Sequence, residues 1–305
     1  MKIAYITINN PKNYRSWSGL NYNIYKCLKS AGHEVFCIGP LSRNLKIFYV
    51  LKRIIFGFVG IKFDADRTVK LSKYYSKQVE NKISDRKYDL IVTSDTSTVS
   101  YLKTNIPIVM WLDTTFQSWY KHYFSNHNVS QQTLIEGNLC EQKALDNSSI
   151  VFVTSNWAKN EIFKFYECTK RKVNILPFGN NLELNPSLKK ILNKKKNEQK
   201  CKIISIGVDW DRKGFSRTIS ICDKIKKKGL NVELIIIGPE KKYELLPSWI
   251  KIYSFLDKNK KKNRSAISNL LIKSDFHLLM TKSEAFGIVF VEASSHGVFN
   301  IALDI

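Results

Sequence analysis

Short apolar runs rich in β-branched residues alternate with longer helical patterns from one end of this chain to the other, and that alternation admits few architectures. Parallel strands need a crossover long enough to hold a helix, so repeated strand–helix units build parallel sheets covered on both faces. The expected strands of a first series are 3–8, 34–38, 89–93, 108–112, 150–154 and 173–176; those of a second are 202–206, 232–237, 250–253, 276–280 and 299–303. Because the series begins anew, the chain is expected to be α/β with two Rossmann-like domains, 1–185 and 186–305. The boundary is placed within 180–200, where Pro186 and the run Lys194-Lys-Lys-Asn-Glu-Gln-Lys200 leave little to bury. Two such domains are expected to face a cleft, the usual place for a small ligand.

Two strand-end segments of the second series carry chemistry. In Glu284-Ala-Phe-Gly287-Ile-Val-Phe-Val-Glu292, two carboxylates flank a glycine that opens an apolar helix, and Gly297 stops it. The amides of Gly287, Ile288 and Val289 then sit at a helix N-terminus, where unpaired N–H groups and the dipole attract an anion. Each carboxylate accepts hydrogen bonds and suits a pair of sugar hydroxyls. Alone, the same pattern fits a capping Glu284 and a solvated Glu292. The other segment is Ser205-Ile-Gly207-Val-Asp-Trp210-Asp-Arg212-Lys213-Gly214, in which a strand ends at Gly207 and two cations precede a helix expected over 215–228. Open parallel sheets bind ligands at the carboxyl ends of their strands. A guanidinium fork and a lysine point charge are the two usual holders of phosphate oxygens.

In this order and separation, the two segments resemble the retaining nucleotide-sugar glycosyltransferases of the group 1, or family 4, type, which include bacterial lipopolysaccharide and mannosyl transferases. Trp17-Ser-Gly19, Gly32-His33-Glu34-Val35, Asp113-Thr-Thr-Phe116, Thr154-Ser-Asn-Trp157 and Leu176-Pro-Phe-Gly179 extend the resemblance over nearly the whole chain. It implies the GT-B architecture and transfer of a hexose from a nucleotide-diphosphate sugar to a saccharide or lipid acceptor with retention. It also implies roles. Arg212 and Lys213 neutralise the donor diphosphate, beside Gly207 and the amides of Gly287, Ile288 and Val289. Glu292 holds the ribose and Glu284 touches the transferred sugar. That scheme requires no metal and no cofactor.

On the acceptor side the resemblance points to Trp17 and Gly19. Family members often carry two adjacent glycines at this place, whereas this chain has Ser18-Gly19. Asp113 has two readings: it orients the acceptor or stabilises charge on the reacting sugar, or it caps a helix over 114–124. His122, His127 and His296 read as structural or solvated. The family continues beyond a fifth strand of the second domain, so that domain is expected to be truncated, with strand 299–303 short of helix cover and activity reduced. The alternative is an inactive relative serving as a binding or membrane-surface module.

Charge bears on partners. The net charge is +23, from 49 basic and 26 acidic residues. The lysines are spread along the chain without a nucleic-acid motif, so no nucleic acid is expected; an anionic membrane surface and a plain compositional bias toward lysine both remain open. The segment 45–63 mixes aromatic and aliphatic residues with Lys46, Lys52, Arg53 and Lys62. It reads either as a basic interfacial helix or, the favoured reading, as a helix packed on the first sheet and ended by Gly57 and Gly60. The longest apolar stretch, 54–61, falls well short of the roughly 18 residues of a membrane span. No signal peptide is expected before the first strand. Six scattered cysteines without a close pair argue against a zinc site or disulfide framework and for a reducing compartment. A cytoplasmic protein is expected, peripheral on the inner membrane face if its charge is used there.

Overall fold

A computed structural model of the chain describes residues 1–124, 128–182, 186–192, 200–239 and 246–304, without the side chains of 45 and 46. His127 and most of the lysine run 194–200 lie outside the described residues, as does the Lys46 side chain. The chain divides into two compact units, Met1–Phe178 and Gly179–Ile305. The division falls before the 185/186 boundary expected from polarity, because Leu182 is an apolar residue buried in the core of the second unit with Ile204 and Ile235.

The first unit holds β1 (Lys2–Ile6), β2 (Glu34–Ile38), β3 (Ile61–Lys62), β4 (Leu90–Thr93), β5 (Ile108–Leu112), β6 (Asn128–Val129), β7 (Ile150–Val153) and β8 (Val173–Ile175). Its helices are α1 (Leu20–Ser30), α2 (Val50–Phe58), α3 (Val69–Ile83), α4 (Thr96–Val99), α5 (Phe116–Phe124), α6 (Gln131–Asn147) and α7 (Asn156–Phe165). Six strands form one parallel sheet in the order β2-β1-β4-β5-β7-β8. The expected strands all form, with ends shifted by a residue or two. The small parallel pair β3-β6 was not foreseen, since two-residue strands carry no periodicity.

The second unit holds α8 (Leu188–Leu192), β9 (Cys201–Ile206), α9 (Trp210–Lys213), α10 (Phe215–Lys227), β10 (Val232–Ile237), β11 (Ile250–Tyr253), α11 (Lys261–Ile272), β12 (Phe276–Leu279), α12 (Ile288–Ser294) and β13 (Phe299–Ala302). Its sheet is parallel in the order β11-β10-β9-β12-β13. Successive side chains of a strand point to opposite faces. Thus Leu234 and Ile236 of β10 enter one core with Phe215 of α10, while Ile235 and Ile237 enter another with Leu271 of α11. All six residues of β10 are buried, as a strand covered on both faces requires. Each large apolar side chain so placed stabilises the unit by roughly 1.5–3 kcal/mol. By contrast, Phe299 of the edge strand β13 is 68% exposed.

Two expectations for the first unit are corrected. The helix in 45–63 does not pack on the sheet. Helix α2 has no buried residue, because α3 takes that place with Leu71, Tyr75, Val79 and Ile83 in the core. Nor does Asp113 cap a helix. Helix α5 begins at Phe116, and the Thr115 hydroxyl accepts from the Ser118 amide at 3.2 Å, which leaves Asp113 outside the first turn.

Candidate functional site

In the second sheet the chain runs outward from β9 through β10 to β11, then returns to the other side of β9 as β12 and β13. The direction of winding therefore reverses between β9 and β12. Loops that leave such a switch point diverge, and the crevice between them is where parallel sheets bind ligands. The loop after β9 carries Gly207, Arg212 and Lys213. The loop after β12 carries Glu284, and both lead into helices.

Asp209 begins the first loop's short helix, α9, by accepting the Arg212 amide at 3.0 Å. Gly214 ends it with φ 68°, and a Cβ there would lie 1.9 Å from the Met280 carbonyl oxygen. Only glycine lets the two loops approach so closely. A Cβ on Gly207 would meet Lys213 Cγ at 2.5 Å, so that glycine makes room for the lysine stem.

The Lys213 side chain is 8% exposed, and its Nζ lies 2.5 Å from Oε2 of Glu284. Burial holds this ammonium below the usual lysine range, and the Glu284 carboxylate opposes that shift. Arg212 Nη1 approaches the same Glu284 oxygen at 3.6 Å and donates to the Ser283 carbonyl at 3.1 Å. The Arg212 carbonyl in turn accepts from the Lys282 amide at 2.7 Å and from Thr281 Oγ1 at 3.1 Å. The two cations and one acid thus form one cluster bonded across both loops. Glu284 does not cap α12; Gly287 occupies that position with φ 76°.

Helix α12 presents Ile288 and Val289 in its first turn and Glu292 further along. Far from being a solvated charge, Glu292 is 0% exposed. Its Oε1 receives the ammonium of Lys258, from the loop before α11, while Oε2 is buried with no hydrogen-bond partner among the described residues. Lys258 sits in a run of lysines and asparagine without a motif, so nothing in the sequence singled it out. His296 is structural. Its Nδ1 lies 2.7 Å from the Glu292 carbonyl and its Nε2 2.8 Å from Ser268 Oγ. Among the described residues no group of His, Cys, Asp or Glu converges to hold a metal ion.

The first unit gathers the other candidates within itself. Trp17 donates its indole N–H to Asp113 Oδ2 at 3.2 Å, and its ring meets Phe178 edge-on at 5.1 Å. Trp17 and Ser18 both have positive φ, 48° and 55°, just before Gly19 at 90°. A left-handed non-glycine residue costs about 1–3 kcal/mol, and such strain gathers where geometry serves a ligand. His122 packs edge-on against Trp157.

The group 1 glycosyl transferase model matches residues 188–305, and the Glycosyltransferase Family 4 model matches residues 20–184. No curated protein matches the chain. Among solved structures, WaaG, a glycosyltransferase involved in lipopolysaccharide biosynthesis, aligns at TM-score 0.59 and 15% identity over 98% of this chain and 80% of its own. An E. coli trehalose-6-phosphate protein bound with UDP-2-fluoro glucose aligns at 0.58 and 11%, over 99% and 84%. Anabaena HepE in complex with UDP and glucose aligns at 0.53 and 15%, over 99% and 80%. At these identities the likeness is one of fold, the two Rossmann-like domains of the GT-B type.

Proposed function

The chain belongs to glycosyltransferase family 4, and from that premise we propose that it transfers a hexose from a nucleotide-diphosphate sugar to a saccharide or lipid acceptor with retention. The observation that carries this reading is the cluster of Arg212, Lys213 and Glu284 at the switch point of the second sheet. In transfer, an acceptor hydroxyl oxygen bonds to the anomeric carbon as the bond to the diphosphate breaks; the electron pair of the broken bond leaves with the phosphate oxygen, which takes up the acceptor's proton. Charge therefore grows on the leaving group, and fixed cations beside it stabilise the transition state more than the ground state.

Arg212 and Lys213 are the groups to do so, with the amides of Gly287, Ile288 and Val289 as further donors. Glu284, already held by both cations, takes hydroxyls of the transferred sugar. Buried Glu292 takes the ribose. Trp17, Gly19 and Asp113 serve the acceptor, with the Trp17 indole fixing the Asp113 carboxylate. UDP with glucose bound in one structure of the same fold, and UDP-2-fluoro glucose bound in another, support the donor class.

The acceptor is proposed to be met at an anionic membrane surface, with the protein on the cytoplasmic face. Ile47, Leu51, Ile54 and Phe58 recur at helical spacing and are all exposed, Phe58 by 87%. Phe48 and Ile55 lie exposed beside them, with Arg53 on the helix and Lys70 at 5.9 Å from the Phe48 ring. An apolar face turned outward and edged by cations suits lipid headgroups. No helix among the described residues is long and apolar enough to cross a membrane.

Calorimetric titration with UDP, GDP and ADP, followed by transfer assays with the corresponding sugars, tests the donor reading. Binding of none of them, by a chain that melts cooperatively, would sink it.

A further inference from the structure

The Glu292 carboxylate is unevenly used. One oxygen carries an ammonium, and the other is buried and unpartnered among the described residues. A carboxylate taken fully out of water needs a counter-charge, and among the described residues Lys258 supplies it by direct contact.

The backbone that delivers this lysine is clamped. Arg264 of α11, 8% exposed, donates from Nη1 to the Lys258 carbonyl at 2.5 Å and to the Asn259 carbonyl at 3.2 Å. Asn263 Nδ2 donates to the Asp257 carbonyl at 3.1 Å, and the Asp257 side chain accepts from the Asn259 amide at 2.9 Å. Lys258 is itself only 17% exposed. It reaches Glu292 from a loop fixed on both sides, unlike a long surface side chain that meets an acid by chance.

We propose that Lys258 is a positioning residue of the donor site: by binding Oε1 it fixes the rotation of the Glu292 carboxylate and turns Oε2 toward a ribose hydroxyl of the nucleotide. The proposal rests on the reading of Glu292 as the ribose ligand. An oxygen anchored by a charge-assisted bond leaves its twin with one direction in which to accept, and a hydroxyl donor completes it. Without the ammonium the carboxylate is free to turn, and the preference for ribose over a sugar lacking those hydroxyls disappears.

The test is calorimetric titration of the full chain with UDP, GDP and ADP, each beside its 2′,3′-dideoxy counterpart. Wild type is expected to favour the ribonucleotide of the pair it binds. In Lys258→Met the ribonucleotide weakens by about tenfold, the size of one charge-assisted bond, while the dideoxy nucleotide binds as before. Lys258→Arg restores part of the preference, and Lys258→Gln serves if the methionine variant does not fold. An unchanged ribose preference in Lys258→Met, an equal loss on both nucleotides, or tighter binding would each overturn the proposal; the last would make Lys258 a latch that competes with the donor. If wild type binds no nucleoside diphosphate, the donor-site reading fails and takes this proposal with it. Wild-type binding without ribose preference sinks only the roles of Glu292 and Lys258.

Discussion

Lys213 Nζ and Glu284 Oε2 meet at 2.5 Å across two loops that leave neighbouring strands of one sheet. The pair both ties the loops together and sets a cation where a diphosphate is expected. Lysine 213 is the more buried partner, and its stem fills the space left by Gly207.

Replacing the two cations should therefore have different effects. Lys213→Ala removes a buried stem and leaves Glu284 with one less partner, so it should lower stability by about 1–3 kcal/mol as well as weaken nucleotide binding. Arg212→Ala, at a side chain 30% exposed, should weaken binding about tenfold and leave the melting temperature almost unchanged. Calorimetry with a nucleoside diphosphate and thermal melts separate the two. Equal melting temperatures for both variants would show that the lysine stem carries no structure.

The two acids should separate by kinetics. Glu284→Gln keeps size but loses the charge between Arg212 and Lys213, and it should lower turnover more than affinity for free nucleotide. Glu292→Gln should weaken free nucleotide first, because its contact is with the ribose. If both variants bind nucleotide like wild type, Glu292 has no part in the donor site.

Trp17→Phe removes the indole donor that holds Asp113 and keeps an aromatic ring near Phe178. It should raise the KM for the acceptor several-fold, with donor affinity unchanged, since one neutral-to-charged hydrogen bond is lost. Steady-state kinetics with each substrate varied in turn provides the check. A loss confined to the donor would place Trp17 elsewhere.

Much of this arrangement was legible in the sequence because strand-end motifs are local. Ser205 to Gly214 spells a strand end, a turn and a helix start within one segment, and Glu284 to Gly297 spells a loop, a helix and its glycine stop. What could not be read is contact between distant segments. Trp17 and Asp113 were both singled out, yet nothing in the spacing says that one binds the other. Lys258 lies in a stretch whose composition reads as solvated loop, and only the clamp by Arg264 makes it a fixed neighbour of Glu292. The misplacement of α2 has the same origin. Its pattern is that of a packed helix, and α3, equally periodic, competes for the same sheet face and wins it with Leu71, Tyr75, Val79 and Ile83.

His277 of β12 should make the second unit sensitive to acid. Its Nδ1–H donates to Asn300 Oδ1 at 2.7 Å, its Nε2 is buried without a partner among the described residues, and burial lowers its pKa from 6.5 to about 4. The unfolded chain takes up this proton near pH 6.5, whereas the folded chain resists until about 4. In that window the unfolded state binds more protons, so stability falls as pH falls, by up to ~3 kcal/mol in order of magnitude. Above pH 6.5 the residue contributes no slope. Urea unfolding at pH 7, 5.5 and 4.5 should show the decline, and His277→Gln should flatten it. An equal slope in the variant would assign the effect to other groups.

Helix α2 offers the most direct test of the membrane reading. Its exposed Ile54, Ile55 and Phe58 would each insert in the headgroup region, while Arg53 and Lys70 meet anionic lipid, at up to ~1 kcal/mol for each cation near the surface. Binding to vesicles containing phosphatidylserine or phosphatidylglycerol should exceed binding to phosphatidylcholine vesicles and decline as salt rises, because a Debye length of about 8–10 Å at moderate salt screens exposed charges. Phe58→Ser with Ile54→Ser should reduce flotation with anionic vesicles severalfold while nucleotide binding in solution stays intact, since neither residue lies in the second unit. Flotation that is indifferent to lipid charge and to these substitutions would leave the outward apolar face to a protein partner and the lysines to composition.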